Sequence, residues 1–388
     1  MNRFSSIFSQ LLQLVPRFEF QRMVKKTGAE RHARGFSCWG QFVSMLFCQL
    51  GRAHSLREIT GGLRSCEGKL KHLGITAPPS RSTLAYANEH RPWNLYQQIF
   101  FALLNQCRSQ VRGKKKFRFK SKLVSLDSST IDLCLAMFDW ARFRRTKGAV
   151  KIHLVLDHDG YLPSYALITE GKVSDVKVAH LLHFDPGTIV VDDRGYNDYS
   201  LFGNWTAQDI SFVTRMKDNA LYEVIEPKET PHDRHILRDD LIRLTGVNAQ
   251  KKCPYFLRRI EVYADEKKQI LVFLTNNLKL AATTISAIYK DRWQIELFFK
   301  ALKQNMKIKT FVGTTANAVK TQIWTALIAM LILRYLQLRC RFAWSLSNLV
   351  ALLRMNLFTH RDLWAWLDDP FEVPPVPYVQ KQLSFTFI

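Results

Sequence analysis

The chain has 388 residues, and 47% of them are hydrophobic, which is enough for two or three domains with a sizeable core. Lys and Arg number 56 against 33 Asp and Glu, and the formal net charge of +23 favours a polyanionic partner, nucleic acid before a membrane surface. No secretory signal is visible, and the most apolar stretch, residues 323–333, is too short to span a bilayer. We therefore predict a buried helix there and no membrane association.

The seven cysteines are an odd number and contain no C-x-x-C pair. This pattern favours buried thiols in a reducing compartment and argues against a structural zinc site.

Residues 1–110 have the apolar spacing of helices and predict an all-helical N-terminal domain. Ser55 and Glu58 form a capping box that begins one of these helices. A later helix, residues 80–89, is compatible with the reader of a helix-turn-helix, although a plain helical bundle explains the pattern at least as well. Its candidate reading residues are Arg81, Ser82, Thr83, Tyr86 and Asn88.

Residues 111–122, VRGKKKFRFKSK, carry seven positive charges and two Phe. Such a run is usually a solvated linker face. Because it lies between the helical region and the first strand, we predict a basic linker that contacts a DNA backbone through Lys114, Lys115 and Lys116.

From Leu123 the pattern changes to strands, and residues 123–216 predict an α/β layer fold. The first strand has Asp127 in its middle, and the next two strands are joined by a hairpin turn at residues 157–160. A short apolar strand over residues 188–191 ends in the sequence Asp192-Asp193-Arg194-Gly195, before a further helix and strand.

Residues 217–277 contain shorter, polar, strand-like pieces that we interpret as a β insertion. Residues 278–355 are helical and return to the core, and residues 356–388 are predicted to be a C-terminal tail.

One helix is predicted over residues 289–303, YKDRWQIELFFKALK. Five polar residues of this helix fall within an arc of roughly 80°, beside an apolar stripe. These residues are Tyr289, Arg292, Glu296, Lys300 and Lys303. An ordinary solvated helix mixes charge signs, whereas a site that holds a phosphodiester against a metal ligand needs one carboxylate among cations.

Asp127, Asp193 and Glu296 come from a strand, a strand end and a helix, and could meet at one point. A carboxylate within an apolar strand is costly unless it is paired or metal-bound, and open α/β sheets place ligands at strand ends. Oxygen ligands without His or Cys select Mg²⁺ or Mn²⁺, and two such ions could clamp the oxygens of a phosphoryl transfer. Each acid alone fits a structural role, but their joint occurrence in a basic chain favours a metal site.

The spacing of Tyr289, Arg292, Glu296 and Lys303 resembles the Y-R-E-K motif of DDE transposases of the insertion-sequence-four family. LDSST at residues 126–130 and DDRGY at residues 192–196 are similar to the segments that carry that family's first and second acids. The resemblance extends from about residue 120 to about residue 345, and the N-terminal helices are similar to those of one branch of the family.

The resemblance implies an RNase H-like catalytic core interrupted by the β insertion, with Asp127, Asp193 and Glu296 as its catalytic and metal-binding triad. Asp193 is preferred to Asp192 because the acid of the family directly precedes an Arg, and Asp192 stays an alternative. The implied ions are Mg²⁺ or Mn²⁺, two in number. Contacts to DNA are assigned to Tyr289, Arg292, Lys300, Lys303 and Arg194.

The resemblance further implies a transposase that cuts an insertion sequence from DNA, through a hairpin or another route, and joins its 3′ ends to a target. We expect the N-terminal helices to recognise the terminal repeats, a dimer on double-stranded DNA, and a cytoplasmic protein associated with the bacterial nucleoid. Two alternatives stay open: a nuclease with the same fold but no strand transfer, and a DNA-binding repressor whose catalysis has decayed.

Overall fold

A computed structural model describes residues 4–31, 33, 35–66, 68–110, 116–144, 147–230, 235–265 and 268–372 of the chain. Lys114 and Lys115 of the predicted basic linker lie outside the described residues, as does the predicted tail beyond residue 372.

The described part of the N-terminal region is helical, as predicted. Its helices are α1 (Ile7–Leu12), α2 (Arg17–Thr27), α3 (Cys38–Leu50), α4 (Leu56–Ser65), α5 (Arg81–His90) and α6 (Asn94–Gln110). Ser37, Ser55 and Ser80 begin α3, α4 and α5, because each serine oxygen accepts a hydrogen bond from a first-turn amide at 3.1–3.2 Å. The predicted pair Ser55 and Glu58 begins α4, but the Glu58 carboxylate accepts from the amide of His54, one residue before the cap, at 2.9 Å.

One candidate DNA-reading residue is wrong. Asn88 on α5 is only 2% exposed, and its Oδ1 accepts a hydrogen bond from Gln41 Nε2 at 2.9 Å. The face of α5 that carries Asn88 packs on α3, so this amide stabilises the helical core instead of meeting DNA.

The strands of the described chain form one sheet. They are β1 (Leu123–Leu133), β2 (Arg142–Arg144), β3 (Lys147–Asp157), β4 (Leu162–Glu170), β5 (Ile189–Val191), β6 (Ser211–Arg215), β7 (Tyr222–Pro227), β8 (Ile236–Leu244), β9 (Leu257–Ala264) and β10 (Gln269–Thr275). Strands β1, β5 and β6 are parallel neighbours, and the β3–β4 hairpin pairs antiparallel with β1. Helices α7 (Asp175–Ala179) and α8 (Tyr199–Ala207) lie in the connections to β5 and β6. The predicted mixed α/β class is confirmed, and this arrangement fits an RNase H-like core.

The segment predicted as a β insertion, residues 217–277, extends the core sheet. Strand β10 pairs antiparallel with β6, placing Leu274 opposite Thr214, and β9, β8 and β7 follow outward in that order. The short helix α9 (Val247–Lys252) lies between β8 and β9. These four strands therefore continue the sheet instead of forming a second one.

The helices that follow the sheet are α10 (Ala282–Asp291), α11 (Trp293–Asn305), α12 (Ala316–Arg339), α13 (Leu346–Asn356) and α14 (Leu363–Asp368). The single helix predicted over residues 289–303 is wrong, because α10 and α11 are separated at Arg292. The Arg292 amide lies 3.3 Å from the Ile288 carbonyl oxygen and 3.2 Å from that of Tyr289, which tightens the chain at this break. The predicted tail is also wrong in its first part, since α14 buries Leu363 and Leu367 in the core.

One apolar core joins the N-terminal helices to the C-terminal helices. Helix α12 packs against α3, α5 and α6, with the ring of Trp324 centred 5.4 Å from that of Phe100. By length and composition α12 could cross a membrane, but 83% of its most apolar window is buried inside the fold. Residues 323–333 therefore lie in a buried helix, as predicted, and residues 1–110 do not pack as a separate unit.

All seven cysteines lie in the described ranges, and none of them forms a disulfide. Cys38, Cys48, Cys107 and Cys253 are buried as expected, whereas Cys134 is exposed, against the prediction.

Candidate active site

The three predicted acids line one cleft of about 610 Å³. Arg292, Lys300 and Lys303 line the same cleft, which we call the acid cleft. Tyr289, Arg194 and Lys116 do not line it.

Strand register explains why Asp127 and Asp193 are neighbours. Parallel strands β1 and β5 pair Ser125 with Val191, and each aspartate follows its member of this pair by two residues. Strand β5 ends at Val191, so Asp193 leaves the sheet beside the point where β1 continues through Asp127. Asp193 therefore lies just past the carboxyl end of β5, where open sheets place their ligands, and Asp127 lies beside it within β1.

Asp127 is largely buried, and burial raises the pKa of its carboxyl to about 7. The charges of Asp193 and Glu296 contribute to this raised pKa, while the Ser128 amide, 2.7 Å from Asp127 Oδ1, and the Arg292 charge oppose the rise. Because burial disfavours the charged form of this carboxyl, a cation bound next to it would stabilise that form.

Asp193 and Asp192 have different surroundings. Asp193 caps the 3₁₀ turn Arg194–Tyr196, with its Oδ1 accepting from the Gly195 amide at 2.8 Å, and it lines the acid cleft. Asp192 is fully buried, does not line the cleft, and has a pKa raised well above the ordinary range by burial. The geometry thus favours Asp193 as the acid that a ligand in the cleft would meet.

Arg292 lies between Asp127 and Glu296. Its Nη1 is 3.7 Å from Asp127 Oδ2, and its Nη2 donates a hydrogen bond to Glu296 Oε1 on α11. Within the described ranges, no three His, Cys, Asp or Glu side chains are already gathered closely enough to hold a metal ion. The donor set is all carboxylate oxygen, which fits Mg²⁺ or Mn²⁺, and Arg292 shares these oxygens.

The other predicted cations divide into two groups. Lys300 and Lys303 extend along the cleft from Glu296, and Lys303 Nζ donates to the Thr130 carbonyl of β1 at 2.9 Å. Arg194 instead forms an exposed ion pair with Asp218, with Nη1 2.8 Å from Oδ2. Lys116, the described member of the predicted lysine cluster, pairs with the buried carboxylate of Asp291.

Tyr289 lies behind Arg292 rather than in the cleft. Its ring is centred 4.6 Å from that of Phe273, and the guanidinium carbon of Arg292 is 5.5 Å from the ring centre. The tyrosine therefore supports the arginine from the side of the sheet.

A chain of buried polar side chains lies next to the cleft and has no signal in the sequence. Ser125 Oγ is 2.7 Å from His158 Nε2, and His158 Nδ1 is 2.6 Å from Asp291 Oδ2, which also accepts from the Tyr161 hydroxyl at 3.0 Å. The order of groups is that of a hydrolase triad, but Ser125 is 0% exposed and cannot reach a substrate. These hydrogen bonds instead connect β1 and the β3–β4 turn to the end of α10, one residue before Arg292. Only the tertiary fold brings these residues together, and their spacing carries no signal.

A mixed sheet that places one carboxylate past a parallel strand end and another within the neighbouring strand, beside a helix with a third carboxylate and two lysines, is an arrangement that suits an α/β enzyme acting on a phosphodiester. The chain belongs to the family of DDE transposases, because the model described as "Transposase DDE domain" matches residues 118–332. Members of this family are nucleases and strand transferases. A second model, a domain of unknown function (DUF4372), matches residues 3–76.

Relatives agree with this assignment. A protein of Sinorhizobium fredii that carries the name of a transposase, y4zB, is 32% identical over 320 residues, covering 80% of this chain and 87% of its own length. A relative from Geobacillus stearothermophilus, named for insertion sequence element IS5377, is 28% identical and covers 66% of this chain and 67% of its own length. A Synechocystis relative, named for element IS4SA, is 24% identical over 66% of this chain and 71% of its own length.

Proposed function

We propose that this transposase cuts an insertion sequence out of double-stranded DNA and joins its 3′ ends to a target, using Asp127, Asp193 and Glu296 as its catalytic acids. The observation that carries the proposal is their meeting in one cleft beside Lys300 and Lys303. The membership in the insertion-sequence-four branch with its Y-R-E-K motif is part of the same proposal.

The acids would hold two Mg²⁺ or Mn²⁺ ions. When bound, such ions would activate the attacking oxygen and stabilise charge on the leaving oxygen of an in-line displacement. Two observations support the fit of these residues to divalent ions. The donor set is all oxygen, and burial raises the pKa of Asp127, whose charged form a bound cation would stabilise.

The protein's own cations would position the DNA strand. Lys300 and Lys303 place positive charge along the cleft next to Glu296, where a phosphodiester backbone would lie. Arg292 offers a fork of donors that suits a phosphate, and it would exchange a carboxylate for that phosphate when DNA enters. Positioning of this kind lowers the barrier by holding the reacting oxygen and phosphorus in line.

The N-terminal helices would recognise the terminal repeats. On α5, Arg81, Ser82 and Tyr86 are exposed and available for DNA, in contrast to Asn88. Because two transposon ends must be held together before they are joined to a target, we propose a dimer on DNA.

Strand-transfer assays test this function. The protein is incubated with Mg²⁺, a duplex that carries the transposon end and a target plasmid, and both cleaved and joined products are measured. We expect Glu296→Gln to lose both products while binding of end DNA is kept, and the exposed Glu223→Gln to retain both. Cleavage without joined product would identify a nuclease, and cleavage by the Glu296→Gln protein would refute the catalytic assignment.

A further inference from the structure

A second cleft, of about 730 Å³, opens between the first turns of α4 and α5. We call it the α4–α5 cleft. Its rim carries His54, Arg57, Arg81 and Ser82, and one wall is formed by Phe311 from the segment between α11 and α12. The chemistry proposed for the acid cleft does not use these residues, although Arg81 and Ser82 are among the exposed residues of α5 proposed above to meet DNA.

The cations of this cleft are available to a ligand. Arg57 and Arg81 are exposed, and among the described residues neither guanidinium group has an ion-pair or hydrogen-bond partner. The nearby acid Glu58 is already engaged, since its carboxylate accepts a hydrogen bond from the His54 amide just before α4. The first turn of α5 has no acidic residue, so the positive end of that helix adds to the two charges.

The α4–α5 cleft lies next to the acid cleft. Lys309 lines the acid cleft and Phe311, two residues later, lines the α4–α5 cleft, so at most about 7 Å of chain separates them. A second link is the hydrogen bond from Arg52 Nη2 to the carbonyl of Gln304, a residue of the acid cleft, at 3.2 Å. Lys307 lies between the clefts, with its Nζ 2.8 Å from His54 Nδ1.

We propose that the α4–α5 cleft binds the phosphodiester backbone of the DNA that continues out of the acid cleft. Arg57 and Arg81 would each hold a phosphate through the guanidinium fork, and the Ser82 hydroxyl would donate to one of them. Phe311 would pack against a deoxyribose between them. The inference rests on the proposed function, because it requires DNA in the acid cleft.

Salt dependence of DNA binding tests the contact. Each phosphate contact contributes about 0.9 to the slope of log affinity against log salt. The double variant Arg57→Ala/Arg81→Ala should therefore lose about 2 from the slope measured with the unchanged protein. The ratio of the DNA affinity of the unchanged protein to that of the double variant should therefore fall about tenfold between roughly 50 and 200 mM salt. The matched control, Arg22→Ala/Lys26→Ala, removes two exposed cations of α2 and should keep the original slope.

Ethylation interference locates the contact. With the unchanged protein, ethylating one or two phosphates beside the cleavage site should weaken binding, and the double variant should lose this sensitivity at those phosphates alone. All three proteins should have the same midpoint of thermal unfolding, because the four substituted residues are exposed.

The inference is overturned if the unchanged protein binds and cleaves end DNA while the double variant keeps both its salt slope and its interference pattern. A protein that neither binds nor cleaves end DNA would overturn the proposed function itself, and this inference with it.

Discussion

At the scale of single residues, Arg292 decides the electrostatics of the acid cleft. Its guanidinium contacts Asp127 at 3.7 Å and donates a hydrogen bond to Glu296, so one cation relieves the repulsion between a largely buried and a partly exposed carboxylate. A divalent cation bound by the same acids would compete with this arginine for their oxygens.

Arg292→Gln should therefore bind Mn²⁺ about tenfold more tightly, the effect of an interaction of about 1.4 kcal/mol, while its affinity for end DNA falls. A titration that follows the electron paramagnetic resonance signal of free Mn²⁺ measures the Mn²⁺ affinity. Lys303→Gln is the control, because its ammonium bonds the Thr130 carbonyl and leaves the acids alone. An unchanged Mn²⁺ affinity in Arg292→Gln would contradict the competition.

Asp291 makes a second residue-scale prediction, on acid stability. Burial disfavours its charged form, but hydrogen bonds from His158, Lys116 and Tyr161 outweigh burial and lower its pKa to about 2. The charged form therefore stabilises the fold above the ordinary pKa near 4, by roughly 2 kcal/mol, and this contribution is lost as the pH falls to 2.

Asp291→Asn should lower the free energy of unfolding by roughly that amount at pH 7, and the difference from the unchanged protein should shrink between pH about 4 and 2. Denaturant unfolding across this range measures it. Asp218→Asn, which removes an exposed ion pair with Arg194, should have little effect at any pH. A constant difference for Asp291→Asn would show that charge is not the cause.

At the scale of elements, local sequence signals predict where a helix or hairpin begins better than they predict whether a helix continues without a break. Ser55 with Glu58 correctly predicts where α4 begins, and the turn at residues 157–160 correctly predicts the β3–β4 hairpin. The break at Arg292 has no signal in the sequence, because the helical period of charges and apolar residues runs through it without interruption. Its cause is tertiary: the buried bonds of Asp291 hold the last turn of α10, and the arginine turns toward the acids.

A close contact between α8 and α9 depends on Gly203. A Cβ there would lie 2.1 Å from the Lys252 carbonyl oxygen, which is backbone and cannot yield. Gly203→Ala should lower the free energy of unfolding by about 1–3 kcal/mol or more. Gly61→Ala, in α4 with open space around the new carbon, should raise it by about 0.5–1 kcal/mol. Equal effects of the two substitutions in denaturant unfolding would contradict the contact.

At the scale of the whole molecule, the N-terminal helices and α12 share one core. Removing residues 1–110 would uncover apolar surface on α12 at its contacts with α3, α5 and α6. Point substitutions on α5 therefore test end recognition more cleanly than a deletion of that region.

We expect the buried amides of α3, α6 and α12 to exchange with solvent through one common opening, with the same free energy, in a hydrogen-exchange experiment. The exposed strand β7 at the sheet edge provides the comparison, and its amides should exchange much faster. Exchange of α3 and α6 well before α12 would show a separately folding N-terminal unit.

The sequence by itself determined the mixed α/β class and the helical N-terminal region, and it proposed Asp127 and Glu296 as candidate catalytic acids. Each of these depends on local pattern or on motif spacing, which the chain displays directly. The tertiary structure decided which of Asp192 and Asp193 lines the cleft, because one-residue alternation at a strand end turns one carboxylate into the core and the other into the cleft. It also decided that Arg194 and Lys116 pair with Asp218 and Asp291, since partners distant in sequence are set only by packing.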